Sequence, residues 1–229
     1  MKRAEKRMNF YNLSSSIIAC ENYLPKGLIE NLYMDFLNNR GRFDTPNWSH
    51  RDVKQKHTVE GKANNVDCEA LDYWISFKNN TEHDANIKKL IQWFLHQGFS
   101  SYIEKNGCPM YNFITLQGIK TRDLAWDIHV ISYNNDGYYN WHTDCSKNNL
   151  FTFNLILNKG NKLNGGNMMF MENGKIIEVK NKNNFMVVFP SYIPHAITPL
   201  HSDDNKDVSF LEQRFSVQFW VRWRQEDDE

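Results

Sequence analysis

The sequence has few cysteines, and they form no pattern. Its four cysteines, Cys20, Cys68, Cys108 and Cys145, are far apart, and none belongs to a Cys-x-x-Cys pair. A disulfide-stabilised fold or a thiolate zinc site would need denser or regularly spaced cysteines. Their scarcity argues against both classes of protein and predicts a reducing, intracellular and cytoplasmic setting.

An excess of charge and a long apolar run are also missing. The 27 lysines and arginines balance the 27 aspartates and glutamates, so no overall field attracts nucleic acid or an anionic membrane. No apolar run has the length of a membrane span, and the N-terminal residues are too polar for a signal peptide. We therefore expect no membrane partner and disfavour a nucleic-acid partner.

The first half of the chain predicts strands and helices around an irregular segment. Residues 16–20 form an apolar run typical of a buried strand, and Pro25 begins a helical pattern that ends at Gly41. A strand over 72–77 and a helix over 84–103 follow. The apolar positions of the first helix are Leu28, Ile29, Leu32, Met34, Phe36 and Leu37. Residues 40–65 are polar with interleaved basic and aromatic side chains, which fits either a solvated excursion or a flap over a binding site.

The second half predicts many short strands separated by turn residues. The predicted strands cover residues 126–133, 150–157, 168–171, 176–179, 185–189, 195–198 and 214–223. Many strands after a helical first half predict a mainly β fold with supporting helices, namely a sandwich or jelly roll. We expect one domain over 1–229, with helical support and the flap at about 16–110 and the β core at about 120–223.

Three residues suggest a metal site. His142 and Asp144 are two residues apart, so in a strand or tight bend their side chains point the same way. Alone, a His-x-Asp match is more often an exposed loop pair. His195 follows several predicted strands later and could meet them across a closed sandwich. Two imidazoles and one carboxylate on one face of an octahedron form the facial triad of non-haem Fe(II) oxygenases.

The last predicted strand carries an arginine on an unusual face. Alternation puts Arg214, Ser216, Gln218 and Trp220 on one side and four apolar residues on the other. An inward arginine requires an anion. It fits either a buried ion pair with an acidic side chain or a dicarboxylate that also chelates the metal. The strand over 126–133 alternates similarly, and we interpret His129 on its polar face as a cavity-lining or structural residue rather than a ligand.

In this order, the motifs resemble the Fe(II)- and 2-oxoglutarate-dependent oxygenases, specifically the prolyl 4-hydroxylase-like group. The resemblance covers about residues 126–223. Its motifs are Tyr133 before a glycine, His142-Thr143-Asp144, Leu157-Asn158 before Gly165-Gly166, Phe189-Pro190-Ser191 before His195, and Arg214 six residues before Trp220.

The resemblance implies a double-stranded β-helix, with the N-terminal helices packed on one of its sheets. His142, Asp144 and His195 would bind Fe(II), and Arg214 would bind the distal carboxylate of 2-oxoglutarate, assisted by Ser216 or Gln218. Tyr133 would contact the same cosubstrate. The remaining reactant would be O2, with ascorbate as a candidate reductant. One departure is a longer interval between His195 and Arg214, which we assign to a loop over 201–207.

The substrate implied by the resemblance is a C–H bond of a protein side chain, with proline first. The alternatives are a free amino acid or small metabolite and, from another class, a catalytically silent metal-binding jelly-roll module. The intact ligand set together with the inward arginine argues against the silent module.

Overall fold

The computed structural model of the chain describes residues 9–43, 66–67, 69–73, 89–90, 124–145, 149–160 and 162–223. Fourteen strands and one α-helix lie within these residues. The strands form two larger antiparallel sheets and a short two-stranded ribbon. Within the described residues, no helix is both long and apolar enough to cross a membrane.

The larger sheet contains seven strands. They are β1 (Asn9–Asn12), β2 (Ile18–Glu21), β4 (Glu69–Tyr73), β5 (Leu124–Tyr133), β7 (Asn149–Leu157), β11 (Phe185–Pro190) and β14 (Arg214–Trp223). Their order across the sheet is β1-β2-β11-β7-β14-β5-β4. The N-terminal strands thus belong to the same sheet as strands from the second half of the chain.

The smaller sheet contains five strands and faces the larger one. They are β3 (Val66–Asp67), β6 (Tyr138–His142), β9 (Met168–Glu172), β10 (Lys175–Val179) and β12 (His195–Ile197), in the order β10-β9-β12-β6-β3. The ribbon pairs β8 (Leu163–Gly165) with β13 (Leu200–Ser202). This arrangement is the double-stranded β-helix that the resemblance implies.

Strand alternation divides the interior into two apolar cores. On β14, Phe215, Val217 and Phe219 enter the core beneath the α-helix, and the alternate residues face the smaller sheet. On β7, Phe153 and Leu155 enter that same core, while Ile156 enters the core between the two sheets. The predicted division of β14 into two faces is therefore confirmed, and β7 is divided in the same way.

The helix α1 spans Lys26–Asn38 and packs on the outer face of the larger sheet. Pro25 is its N-cap, which agrees with the preference of proline for helix starts. It ends at Asn38 rather than Gly41, because a short 3₁₀ helix, Arg40–Arg42, follows. Of the apolar positions of this helix, Met34 and Leu37 are exposed, whereas Tyr33, which the apolar pattern did not include, is buried.

Most predicted strands match observed ones to within a few residues. Strand β4, which covers Glu69–Tyr73, overlaps the strand predicted over 72–77, whose residues 74–77 lie outside the described residues. Five observed strands, β1, β3, β6, β8 and β13, are not among the predicted ones, and the loop expected over 201–207 begins with two residues of β13. The helix predicted over 84–103 and the segment 40–65 lie largely outside the described residues.

Candidate active site

The three predicted metal ligands meet between the two sheets. His142 is the last residue of β6, His195 is the first of β12, and these two residues are register partners. One ligand atom from each of His142, Asp144 and His195 lies within 4.8 Å of the other two. Among the described residues, no other group of three histidine, cysteine or acidic side chains forms such a cluster.

Asp144 lies beyond the end of β6 and needs a separate restraint. Its backbone N–H donates to the carbonyl of Ser191 at 2.9 Å, and Ser191 N–H donates to the carbonyl of Leu150 at 3.0 Å. The loop before His195 therefore holds the Asp144 backbone. This explains why the Phe-Pro-Ser motif accompanies the ligand set: Ser191 fixes one ligand and precedes another.

Both histidines turn the same nitrogen toward the cluster. His142 Nδ1 lies 2.8 Å from the carbonyl of Asn140, and His195 Nδ1 lies 3.0 Å from the carbonyl of Ile193. A carbonyl only accepts, so each Nδ1 is a protonated donor, which leaves Nε2 as the nitrogen that can bind a metal. The two Nε2 atoms each lie 3.5 Å from an oxygen of Asp144. Metal-binding histidines are commonly oriented in this way.

The Asp144 carboxylate is held by two side chains of the larger sheet. Its Oδ2 accepts from Thr152 Oγ1 at 2.7 Å and from Trp220 Nε1 at 3.1 Å. Thr152 Oγ1 also lies 3.1 Å from Ser191 Oγ. Neither Thr152 nor Trp220 was assigned this role from the sequence. The only signal was that both occur on the polar face of an otherwise apolar strand.

Arg214 is fully buried, and no acidic side chain of the described residues forms an ion pair with it. Its Nη1 donates to Ser216 Oγ at 2.7 Å and its Nε to the carbonyl of Gly166 at 3.1 Å. Among the described residues its Nη2 has no hydrogen-bond partner, and the guanidinium carbon lies 5.1 Å from the centre of the Tyr133 ring. Burial lowers the pKa of Arg214 to about 10. The first interpretation of Arg214, a buried ion pair with an acidic side chain, is therefore not observed among the described residues.

Gly166 brings its backbone close to this arginine. A Cβ atom at Gly166 would lie 3.0 Å from Arg214 Cδ and 2.9 Å from two carbons of Leu200, and its φ of +63° also favours glycine. The second glycine of the Gly-Gly motif thus has a local reason. Only glycine leaves room for the Arg214 side chain at the point where the backbone carbonyl accepts its hydrogen bond.

The remaining inward residues of the larger sheet form rows across the strands. Ser216 pairs with Ile131 and Ile156 near the guanidinium, and Trp220 pairs with Thr152 near the ligands. Between these rows, Gln218 pairs with His129 on β5 and with Asn154 on β7. The His129 ring lies 4.2 Å from that of Trp220 and is not part of the ligand cluster, which agrees with its predicted role.

These groups fit an Fe(II) ion and an anionic cosubstrate. Within the part of the chain that the structure describes, the buried His195 Nε2 lacks a hydrogen-bond partner, as does Arg214 Nη2. Unpaired polar atoms are rare in protein interiors and need an explanation. Two neutral imidazoles and a carboxylate suit a divalent ion with open coordination positions, and a buried guanidinium suits a carboxylate.

Comparison with known proteins agrees with this chemistry. Residues 128–222 match the model of the 2OG-Fe(II) oxygenase superfamily, whereas no curated protein matches the chain. The fold is similar to a Pseudomonas putida prolyl-4-hydroxylase, with a TM-score of 0.58 and 15% identity over 91% of this chain and 93% of that one.

A prolyl hydroxylase from Trichoplax adhaerens also has a similar fold. Its structure is a complex with a peptide fragment of the hypoxia inducible factor oxygen degradation domain, and it gives a TM-score of 0.59 and 14% identity over 94% of this chain and 86% of that one. At such low identities the likeness concerns the fold alone. The fold is thus similar to that of prolyl 4-hydroxylases, and residues 128–222 are similar to the 2OG-Fe(II) oxygenase superfamily.

Proposed function

We propose that this chain is an Fe(II)- and 2-oxoglutarate-dependent hydroxylase acting on a protein side chain, with proline as the first candidate. The observation that carries the proposal is one interior that holds both a His-Asp-His cluster and a fully buried arginine, whose Nη2 has no hydrogen-bond partner among the described residues. A jelly-roll module without redox chemistry has no need for this combination.

Each residue has a distinct role in this proposal. His142, Asp144 and His195 hold Fe(II), while Arg214 and Ser216 bind the distal carboxylate of 2-oxoglutarate and Tyr133 packs beside it. When bound, Fe(II) and 2-oxoglutarate would use O2 to convert a substrate C–H bond to C–OH, with release of succinate and CO2. The chain itself orients the ligands, excludes water and neutralises the buried carboxylate.

The whole chain is proposed to act as a single oxygenase domain. Strands β1 and β2 extend the larger sheet next to β11. The helix α1 covers the outer face of the same sheet through a core that includes Phe36 and Phe215. The N-terminal segment thus supports the strands that carry the site.

A protein substrate is supported by aromatic side chains next to the ligands. The Tyr139 ring stacks on His142 with its centre 3.7 Å away, and Tyr192, adjacent to Ser191, is 64% exposed. Proline rings dock well against aromatic side chains. The peptide complex of the Trichoplax prolyl hydroxylase supports the same substrate class.

An anaerobic titration tests the proposed cofactor and cosubstrate. Adding 2-oxoglutarate to the Fe(II)-loaded protein should produce a visible metal-to-ligand absorption band, and His142→Ala should abolish it. Arg214→Lys keeps a charge but loses the planar fork, so it should weaken 2-oxoglutarate binding about tenfold or more while Fe(II) affinity is retained. Absence of the band in the unsubstituted protein would contradict the proposed function.

A second measurement tests the substrate class. Proline-containing peptides and, separately, free amino acids are incubated with the enzyme, Fe(II), 2-oxoglutarate and ascorbate, and then analysed by mass spectrometry. We expect a gain of one oxygen in a peptide. A gain in a free amino acid alone would replace the protein substrate with a small metabolite.

A further inference from the structure

One buried amide lies between the two halves of the proposed site and has no assigned role. Asn154 is 1% exposed, and neither its amide nitrogen nor its amide oxygen has a hydrogen-bond partner among the described residues. Its neighbours Phe153 and Leu155 face the core beneath α1, so Asn154 faces the interior between the sheets. An amide buried there without a partner is costly to the free protein.

The strand register places Asn154 between the metal ligands and the arginine. Thr152, two residues before it on β7, holds Asp144. On the next strand Asn154 pairs with Gln218, which lies between Trp220 on the metal side and Ser216 on the arginine side. Same-face residues two apart on a strand are separated by about 7 Å. A dicarboxylate that reaches from the metal to the guanidinium must therefore pass over the row containing Asn154.

We propose that the Asn154 amide N–H donates to the metal-chelating end of 2-oxoglutarate, an inference that rests on the proposed function. In the proposed function, Arg214 and Ser216 bind the distal carboxylate of 2-oxoglutarate. Its 2-oxoacid end is therefore the part that still needs a hydrogen-bond donor from the larger sheet. Asn154 is then a cosubstrate-binding residue. Its amide, which has no partner among the described residues, lowers the stability of the free protein but favours binding of a 2-oxoacid.

The test compares two leucine substitutions. Asn154→Leu removes the amide at nearly constant size. Asn181→Leu is the matched control. Both side-chain amide atoms of Asn181 are likewise buried and have no hydrogen-bond partner among the described residues, but the residue lies between β10 and β11. Binding of 2-oxoglutarate to the Fe(II)-loaded proteins is followed by the visible absorption band, and thermal unfolding is followed without any ligand.

We expect Asn154→Leu to weaken 2-oxoglutarate binding roughly tenfold or more, as for loss of a hydrogen bond to a charged group, and to leave Fe(II) affinity unchanged. Binding of pyruvate, which lacks the distal carboxylate, should weaken by the same factor. Arg214→Lys should weaken 2-oxoglutarate binding but spare pyruvate. Without ligand, Asn154→Leu should melt at a higher temperature than the unsubstituted protein, and Asn181→Leu should bind both oxoacids normally.

Unchanged 2-oxoglutarate affinity in Asn154→Leu would overturn the inference, as would a loss confined to 2-oxoglutarate with pyruvate unaffected. If Asn154→Leu does not fold, Asn154→Asp decides: its carboxylate repels the anionic oxoacid, so binding should fall further, and normal binding would refute the role. Failure of the proposed function is distinguishable, because the unsubstituted protein would then give no absorption band.

Discussion

The Asp144 carboxylate has two oxygens with different surroundings. Oδ2 accepts hydrogen bonds from Thr152 and Trp220 and lies 3.5 Å from His195 Nε2, whereas Oδ1 lies 3.5 Å from His142 Nε2. The two donors on Oδ2 hold the carboxylate at a fixed angle beside both histidine nitrogens. Loss of a group that orients a metal ligand typically lowers metal affinity about 10- to 100-fold.

Thr152→Val tests this orientation. Valine has almost the same shape but cannot donate to Asp144, so we expect Fe(II) affinity to fall about 10- to 100-fold. The measurement is an anaerobic Fe(II) titration. The matched control is Thr143→Val, because Thr143 is exposed although it lies between the two ligands in sequence. Equal affinities in the two variants would show that Thr152 has no role in positioning Asp144.

The role of a single residue can be predicted from the sequence when a charged or metal-binding side chain occurs within an apolar strand pattern. The inward arginine and the His-x-Asp pair are recognisable because charged or metal-binding groups rarely occur within apolar strands. The roles of Thr152, Trp220 and Asn154 are not predictable in the same way. Alternation assigns each of them to the inner face, but their partners come from β6, the Asp144 loop or a cosubstrate, and no local pattern specifies those neighbours.

The short connection between β8 and β9 is the element that positions the arginine. Gly165 and Gly166 both have positive φ, and the Gly166 carbonyl accepts from Arg214 Nε. Gly166→Ala introduces a Cβ against Arg214 and Leu200, so the guanidinium must shift. We expect weaker 2-oxoglutarate binding with Fe(II) affinity retained, measured by the absorption band and the Fe(II) titration.

Gly174→Ala is the control for backbone strain. Gly174 has a φ of +72°, close to that of Gly166, but a Cβ there would meet nothing within 4 Å. Both substitutions should therefore cost about 1–2 kcal/mol of unfolding free energy from the left-handed conformation. Only Gly166→Ala should impair cosubstrate binding, and a similar loss in both variants would indicate a general effect of strain.

Elements are predictable where a pattern is long enough to be periodic. The ten-residue strand β14 and the nine-residue strand β7 were predicted almost to the residue. The strands that the sequence does not predict, β1, β3, β6, β8 and β13, have only two to five residues, and so few residues rarely establish a period. On α1, the apolar pattern predicts the helix, but its angular spacing places Tyr33 inward and Met34 and Leu37 outward.

The whole molecule separates its stabilising core from its chemistry by a sheet. The core beneath α1 contains Phe36, which lies 5.1 Å from Phe215 between ring centres. The core between the sheets contains Phe189, whose ring lies 4.7 Å from that of His195. The sequence predicts a two-faced sheet but not the order of its strands, because β11 lies between β2 and β7 through contacts distant in the chain.

The same substitution in the two cores should separate stability from function. Phe36 and Phe189 are both fully buried, so each change to alanine should cost about 3–5 kcal/mol of unfolding free energy, measured by denaturant unfolding. Phe36→Ala acts behind the sheet and should leave Fe(II) affinity unchanged below its melting temperature. Phe189→Ala removes a ring that packs against His195 and should weaken Fe(II) binding as well. An equal loss of Fe(II) affinity in Phe36→Ala and Phe189→Ala would contradict this separation. It would mean that a packing defect on the outer face of the sheet also displaces the metal ligands on its inner face.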